Sequence, residues 1–314
     1  MNNLRVLFLV CGVFLASNSS FAEQRTIKIG SGSILKGYYS IGLDICNTMT
    51  LADPTVNCEV VPTVGGVENL ALLKEGKIDL ALVQSDLALE AYEGRGYYAN
   101  SGRMEEMRQV LNLYNEFFTV IVKAKDNINS FADIGGKRVS NGFSSTSANI
   151  AYHALKKQYS FSKEPINVNV NYEEAVKDFC TGELDVMIMT VGHPNALVGF
   201  IANTCPIEFV PIEQEEINKL VKVNKAFHAA ILDKDLYPGI KADTLTVGVT
   251  AIIVTNSNMD TKLLDKFIGK FHRNVKSFKH SNYLLRDVDI NSFADTNKFI
   301  LPKHQAVRNR VVDK

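Results

Sequence analysis

The sequence lacks an excess of charge of either sign, since 34 Lys and Arg residues balance 34 Asp and Glu residues among its 314 residues. Proteins that bind nucleic acids usually carry a basic surplus that neutralises phosphates, so this balance argues against such a partner. Tryptophan is also absent, yet apolar residues make up 46% of the chain. That fraction is enough to bury a hydrophobic core, and the length favours two domains.

Signatures of catalysis, metal binding and nucleotide binding are also lacking. The sequence has no G-x-S-x-G or H-E-x-x-H motif, and its six histidines are scattered without metal-ligand spacing. The glycines of the loop Gly30–Tyr39 follow the spacing G-x-G-x4-G, which differs from the dinucleotide fingerprint. No Gly-Lys-Ser/Thr follows it, so a P-loop is excluded as well. We therefore predict no enzyme activity, no metal and no cofactor.

One apolar run stands out, and it lies at the N-terminus. Val6–Ala16 is an apolar segment of eleven residues that follows Arg5 and precedes the small, polar stretch Ser17–Ala22. About 20 apolar residues are needed to span a bilayer, so the run is too short for a transmembrane helix. Its order and length predict a signal peptide over residues 1–22, cleaved after Ala22, with a membrane anchor as the alternative. The mature chain is expected in the periplasm.

Four cysteines remain after this predicted cleavage: Cys46, Cys58, Cys180 and Cys205. An even number in an oxidising compartment favours disulfides, and four cysteines allow three connectivities. We favour the local pairing, Cys46 with Cys58 and Cys180 with Cys205, because each pair lies within one short stretch. Four buried thiols are the alternative, and a zinc site is less favoured because no C-x2-C pair exists.

Strand patterns alternate with helix patterns along the chain. The predicted strands are Thr26–Ile29, Cys58–Val61, Ile78–Val83, Val120–Lys123, Lys137–Ser140, Val168–Val170 and Leu184–Thr190. The predicted helices are Tyr39–Met49, Val67–Glu75, Ser147–Gln158 and the long amphipathic Asp260–Phe278. This alternation predicts an α/β fold with mostly parallel sheets.

One pattern occurs twice, with a shift of about 106 residues. Glu68–Val83 and Glu173–Met189 each contain an amphipathic helix, a glycine, an acidic residue and an apolar strand. Many unrelated αβ units share such a pattern, so one match does not prove a duplication. It does predict equivalent units in the two halves of the chain, and two such lobes would enclose a cleft.

Loops that follow predicted strands carry the candidate binding residues, because open α/β sheets bind ligands where strands end and helices begin. Hydroxyl and amide groups in these loops suit a carboxylate, although they could also be plain helix caps and turns. His193 follows a buried strand and is best explained as a structural histidine, but we keep it as a candidate. The candidates are Gly32, Ser33, Tyr38, Tyr39, Thr63, Gly65, Gly66, Asn69, Gln84, Ser85, Asp86, Ser144, Ser145, Thr146, Ser147 and His193.

Several of these segments together resemble a known family. The stretches are Gly30–Gly42, Pro62–Leu70, Leu82–Tyr92, Phe131–Val139 and Gly192-His193-Pro194. In this order they are similar to the TAXI-type solute receptors of TRAP (tripartite ATP-independent periplasmic) transporters, over about residues 26–300. Two stretches depart from the family pattern, Ile34-Leu35-Lys36 and Phe143–Ser147, and both fall where the ligand should lie.

The resemblance implies a two-lobe periplasmic binding protein fold of type II with an interlobe cleft. Lobe one is expected to comprise residues 23–122 and 212–314, and lobe two residues 123–211, with crossings near Val120–Lys123 and Phe209–Glu213. The implied function is delivery of a small organic acid, glutamate-like or a 2-oxo or dicarboxylate compound, to a TRAP membrane permease. Alternatives are a binding protein of an ATP-driven importer, an exported enzyme or an immunogenic surface protein. We expect a monomer.

Overall fold

The computed structural model of the protein describes residues 25–34, 37–142, 147–286 and 295–307. The predicted signal peptide, residues 1–22, lies outside this part of the chain. None of the helices within the described ranges combines the length and the apolar character that crossing a bilayer requires.

The N-terminal unit alternates three strands with two helices. Its elements are β1 (Arg25–Gly30), α1 (Gly37–Ala52), β2 (Val56–Val61), α2 (Gly66–Lys74) and β3 (Leu80–Gln84). The strands are parallel in the order β2-β1-β3, and every residue of β3 is buried. Helix α3 (Ser85–Glu93) begins immediately after β3. The apolar run Ile78–Val83 predicted this central strand.

A long strand, β4 (Met107–Lys123), leads into a second unit of the same design. That unit contains β5 (Arg138–Ser140), α4 (Ser147–Lys156), β6 (Ile166–Asn167), α5 (Tyr172–Thr181) and β7 (Val186–Val191), with parallel strands in the order β6-β5-β7. The strand predicted at Val168–Val170 is wrong, because β6 ends at Asn167. The Val168 amide still donates to Val139 O at 2.8 Å, so the chain runs alongside β5 for one more residue.

Within the described ranges, the remaining elements complete a ten-stranded sheet. They are α6 (Ala196–Thr204), β8 (Ile207–Phe209), α7 (Gln214–Val223), β9 (His228–Leu232), β10 (Thr244–Asn256) and α8 (Thr261–Ser281). Strands β4 and β10 lie antiparallel at the centre, with β3 beside β10 and β7 beside β4. The alternation of strands and helices confirms the predicted α/β fold class.

Hydrophobic packing divides the long central strands between two lobes. In β4, Tyr114 packs with the core of the first unit and Phe118 with that of the second. In β10, Ala251 packs with the first and Val249 with the second. We call these bodies lobe one and lobe two. Residues 212–249 were predicted in lobe one, but most of their buried apolar side chains pack in lobe two.

That difference has a physical cause. The prediction placed the return crossing near Phe209–Glu213, where β8 ends. The structure keeps α7 and β9 against lobe two, because Ile217 and Leu220 bury their side chains there. The chain returns only through β10, whose thirteen residues are long enough to run through both lobes.

Both disulfides have the predicted local pairing. Cys46 and Cys58 join α1 to β2 in lobe one, with a Cα–Cα distance of 5.1 Å. Cys180 and Cys205 join α5 to the end of α6 in lobe two, with a Cα–Cα distance of 5.8 Å. Each bridge therefore fastens two neighbouring elements within one lobe.

The repeated sequence pattern corresponds to repeated geometry. Asp79 Oδ2 accepts a hydrogen bond from the Lys28 amide at 2.8 Å, and Asp185 Oδ2 accepts one from the Arg138 amide at 2.8 Å. In each lobe, this aspartate precedes the buried strand and holds the neighbouring parallel strand. The two units are structurally equivalent, as the sequence predicted.

Candidate functional site

A cavity of about 500 Å³ lies between the lobes and is lined by residues of both. Four helices begin at its wall, where Tyr38 of α1, Gly66 of α2, Ser147 of α4 and Ala196 of α6 line the space. The first turns of helices carry backbone N–H groups without partners inside the helix and a partial positive charge. The cavity is therefore suited to a negatively charged group.

The start of α2 is shaped by a glycine. Gly65 has φ +128°, a conformation that side chains of L residues rarely adopt, and it lines the cavity beside Gly66. Its amide donates to Thr63 Oγ1 at 3.1 Å. The backbone can thus turn into the helix while staying open to a ligand.

Thr63 and Asn69 form a buried scaffold behind this loop. The Thr63 hydroxyl lies 2.7 Å from Asn69 Oδ1, and Asn69 Nδ2 donates to Leu82 O at 2.7 Å. Neither side chain lines the cavity. Their hydrogen bonds instead fasten the β2–α2 loop to strand β3.

The wall of the cavity also carries a carboxylate from the middle of β4. Glu116 is 5% exposed, lines the cavity, and is the one charged side chain among the described residues that do so. Tyr114 Oη donates to Glu116 Oε1 at 2.9 Å, and Gln84 Nε2 donates to Glu116 Oε2. These two donors fix the position of the carboxylate.

The hydroxyl of Tyr38 completes this wall. It is buried and has no hydrogen-bond partner within the described part of the chain. Burial, together with the charges of Glu116 and Asp86, raises the pKa of Tyr38 well above its ordinary value of 10.0. The phenol therefore keeps its proton and can donate to a ligand.

The loop between β7 and α6 is positioned by His193. Its Nδ1 lies 2.6 Å from Tyr237 Oη, and its Nε2 lies 2.8 Å from Thr119 Oγ1. The Asn195 amide donates to the same Tyr237 oxygen at 2.5 Å, so the Tyr237 proton is directed to Nδ1. Burial lowers the pKa of His193 to about 3, which keeps the ring neutral. His193 does not line the cavity but holds Gly192 and Asn195, which do.

Ser85 and Asp86 lie at the start of α3, behind the cavity wall. Ser85 Oγ accepts from the Thr250 amide at 3.0 Å, which joins α3 to β10. Asp86 is 3% exposed, and its Oδ1 has no partner among the described residues. Burial and the charge of Glu90 raise the pKa of Asp86 to about 7.

The structure brings some of the predicted site residues to the cavity and leaves others away from it. Those that line it are Gly32, Tyr38, Gly65, Gly66, Gln84 and Ser147. Those that do not are Ser33, Tyr39, Thr63, Asn69, Ser85, Asp86 and His193. Ser144, Ser145 and Thr146 lie outside the described residues. Most of the predicted residues that do not line the cavity share one role: their side chains form hydrogen bonds that position the cavity loops without facing the cavity.

Sequence reasoning missed Glu116, Tyr114, Thr190, Asn195 and Tyr283, all of which line the cavity. For Glu116 a signal existed, since it is the lone acidic residue of strand β4. The prediction placed the strand only at Val120–Lys123, so residue 116 was not considered as part of it.

Solved structures with similar folds are known at low sequence identity. A putative L-cystine ABC transporter protein from Listeria monocytogenes is 15% identical, with a TM-score of 0.52, and the match covers 84% of this chain and 97% of that one. XAC2383 from Xanthomonas citri, bound to chloride ion, is 9% identical with a TM-score of 0.50, covering 80% and 84%. These likenesses show the fold, and they confirm the predicted two-lobed α/β architecture.

The periplasmic aliphatic sulphonate binding protein SsuA from Escherichia coli is 14% identical, with a TM-score of 0.49 and coverage of 84% and 75%. A family match extends over most of the sequence, since the model of the NMT1-like family matches residues 29–308. The matched range includes both lobes and every cavity-lining residue. The chain therefore belongs to the NMT1-like family.

Proposed function

We propose that the protein is an exported solute-binding protein, which captures a small anionic solute between its lobes and delivers it to a membrane importer. The proposal rests on one observation: four helices begin at the wall of the same interlobe cavity. A carboxylate would accept hydrogen bonds from first-turn amides at these starts, although at α6 the Leu197 and Val198 amides already donate to Asn195 Oδ1. The described residues of the wall provide donors and acceptors but no nucleophile paired with a base.

The importer has two candidate classes. The similar fold from Listeria monocytogenes is that of a putative L-cystine ABC transporter protein, which supports a binding protein of an ATP-driven importer. The sequence resemblance to TAXI-type receptors supports a TRAP permease, including a form with fused subunits, as the second candidate. Both classes place the protein in the periplasm, and both use closure of the lobes over the ligand to present a bound form to the permease.

Isothermal titration calorimetry and thermal shift against small mono- and dicarboxylic acids test the ligand class. The panel includes glutamate-like and 2-oxo compounds. We expect saturable binding of at least one acid and a rise in Tm with its concentration. Absence of binding by every acid would overturn the proposal.

Uptake of the ligand by intact cells separates the importer classes. Depletion of ATP with the ion gradients maintained should abolish uptake by an ATP-driven importer. Collapse of the ion gradients with ATP maintained should abolish uptake by a TRAP permease. A neighbouring gene for a fused multi-spanning permease would support the TRAP class.

A further inference from the structure

A short helical turn after α8, Tyr283–Leu285, brings an apolar side chain to the cavity wall. Leu284 of this turn is buried and packs with the core of lobe one. Asn282, which precedes the turn, accepts from the Leu284 amide at 3.2 Å and donates to Ser40 Oγ on α1 at 3.1 Å. Hydrogen bonds therefore fix the position of Leu284 relative to the rest of lobe one.

The two methyl groups of Leu284 face glycines that belong to different lobes. A Cβ atom at Gly37, the first residue of α1, would collide with Leu284 Cδ1. A Cβ atom at Gly192, which follows β7 in lobe two, would lie 2.7 Å from Leu284 Cδ2. Both glycines line the cavity. Leu284 thus packs closely against the backbone of both lobes at the cavity wall.

Gly192 is needed for space rather than for its backbone conformation. Its φ lies outside the left-handed region, so a residue with a side chain could adopt the same backbone. A Cβ atom there would also lie 2.7 Å from Cε2 of Tyr114, a buried residue of the lobe-one core. The Tyr114 ring is held by its hydrogen bond to Glu116. Packed interiors leave few voids into which these neighbours could move, so a side chain at position 192 would hold the lobes apart.

We propose that Leu284 determines the longest ligand that the cavity accepts, and that Gly192 allows lobe two to close against it. Leu284 occupies space that a longer ligand chain would have to enter, and displacing a well-packed side chain is unfavourable. The inference rests on the proposed function and deepens it, because it assigns the length limit of the ligand to one contact between the lobes.

Calorimetry with two homologous series of acids tests this inference. One series consists of straight-chain monocarboxylates and the other of α,ω-dicarboxylates, each lengthened by one methylene at a time. With the wild-type protein, each added methylene should tighten binding about 4-fold until the chain reaches Leu284. The next methylene should weaken binding by about 10-fold, because it overpacks the cavity.

Substitution of Leu284 should move this length limit. Leu284→Ala removes three carbon atoms and should move the limit to chains about two to three carbons longer. Leu284→Val removes one carbon and should move it by about one carbon, which tests the same effect with a smaller loss of packing. Thermal unfolding shows that each variant folds. An unchanged limit in the folded variants, or the lack of a limit in the wild type, would overturn the inference while leaving the proposed function intact.

Substitution of Gly192 tests the contact between the lobes. Gly192→Ala should weaken binding of every acid by about 10-fold, because the added methyl group prevents full closure. Gly199→Ala is the matched control on α6 of the same lobe, where a Cβ atom would lie 3.7 Å from the Tyr237 ring, an ordinary contact. It should bind as the wild type does. Wild-type affinity in Gly192→Ala would overturn the role of the contact, and absence of binding by every acid to the wild type would overturn both the inference and the proposed function.

Discussion

The two lobes contain the same β–α–β–α–β unit, but the segments after the third strand differ. In lobe one, α3 begins at Ser85, directly after Gln84 ends the strand. In lobe two, residues 192–195 separate β7 from α6. The shared part builds the sheet in both lobes, whereas the differing part sets how directly the next helix follows the strand.

Each lobe also buries one ionisable side chain just after this strand, and burial favours the uncharged form of both. It raises the pKa of Asp86 to about 7 in lobe one and lowers the pKa of His193 to about 3 in lobe two. His193 has partners for both ring nitrogens, whereas Asp86 Oδ1 has none among the described residues. Asp86 and His193 thus follow the third strand of their lobes but differ in hydrogen bonding. Substitutions at the two positions can measure how this difference affects stability.

Removal of the disulfides should have the largest effect on the two lobes. The bridge in lobe two joins cysteines 25 residues apart, and that in lobe one joins cysteines 12 apart. Replacing both cysteines by serine should lower the free energy of unfolding by about 3.5 kcal/mol in lobe two and about 3 kcal/mol in lobe one, from chain entropy. Urea denaturation of the two double variants measures both. A larger loss in lobe one would contradict this ranking.

The Asp86→Asn substitution should change how stability depends on pH. Because the folded pKa is raised, the folded chain holds a proton that the unfolded chain releases, so stability falls as pH rises from about 4 to about 7. At about pH 8 the variant should be more stable by about 2 kcal/mol, since the gain from removing a buried charge is partly offset by a new unpaired amide donor. Near pH 4, where the folded wild type holds the Asp86 carboxyl protonated, only the cost of the unpaired amide donor remains, so the variant should be less stable there by about 1 to 2 kcal/mol.

His193→Gln provides the comparison in lobe two. The folded pKa of His193 lies below its ordinary value of 6.5, so its contribution to stability is present above about pH 6.5 and is lost as pH falls toward 3. In the variant, the free energy of unfolding should no longer fall as the pH falls from about 6.5 toward 3. This pH dependence has the opposite sign to that of Asp86. Urea denaturation from about pH 4 to 8 measures both slopes, and slopes of the same sign would contradict the interpretation.

Substitution of the paired aspartates should have a smaller and unequal effect. Asp185 accepts from the Arg138 amide and from its guanidinium, where Nη2 donates at 2.8 Å, and these bonds lower the pKa of Asp185. Asp79 accepts from the Lys28 amide. We expect Asp185→Ala to cost about 2 kcal/mol and Asp79→Ala about 1 kcal/mol.

The difference between these two variants should depend on pH. The contribution of Asp185 is present above about pH 4 and is lost as pH falls through its lowered folded-state pKa. Chemical denaturation near pH 7 and near pH 3 measures it. Equal costs of the two substitutions at pH 7 would show that the guanidinium contacts add nothing.

Alanine at the two helix-ending glycines should have the smallest effect, equal in both lobes. Gly76 has φ +68° and Gly182 has φ +93°, and an added Cβ would meet no atom within 4 Å at either position. Only backbone strain remains, so each substitution should cost about 1 kcal/mol. Asparagine, which tolerates this conformation better, is the control and should cost less. Thermal unfolding compares the four variants, and a clear inequality between lobes would argue against their equivalence.

Much of the framework could be predicted from local patterns. The apolar runs before Gln84 and Val191 indicated buried strands, and the glycine and aspartate that precede each run indicated repeated units, which the structure shows. The cysteine pairing followed from proximity in sequence. By contrast, residues 212–249 were assigned to the wrong core, because periodicity shows that a helix such as α7 is amphipathic but not which lobe its apolar face contacts.

The sequence by itself determined the alternation of strands and helices, the two local disulfides and the loops where a ligand could lie. Those features depend on residues close together in the chain, so composition and spacing are enough. Only the tertiary structure decided that Gln84 and Glu116 share one cavity wall, because they lie 32 positions apart in the sequence and only sheet pairing brings them into contact. It also decided that Asp86 and His193 are buried, since burial depends on packing from distant segments rather than on neighbours in sequence.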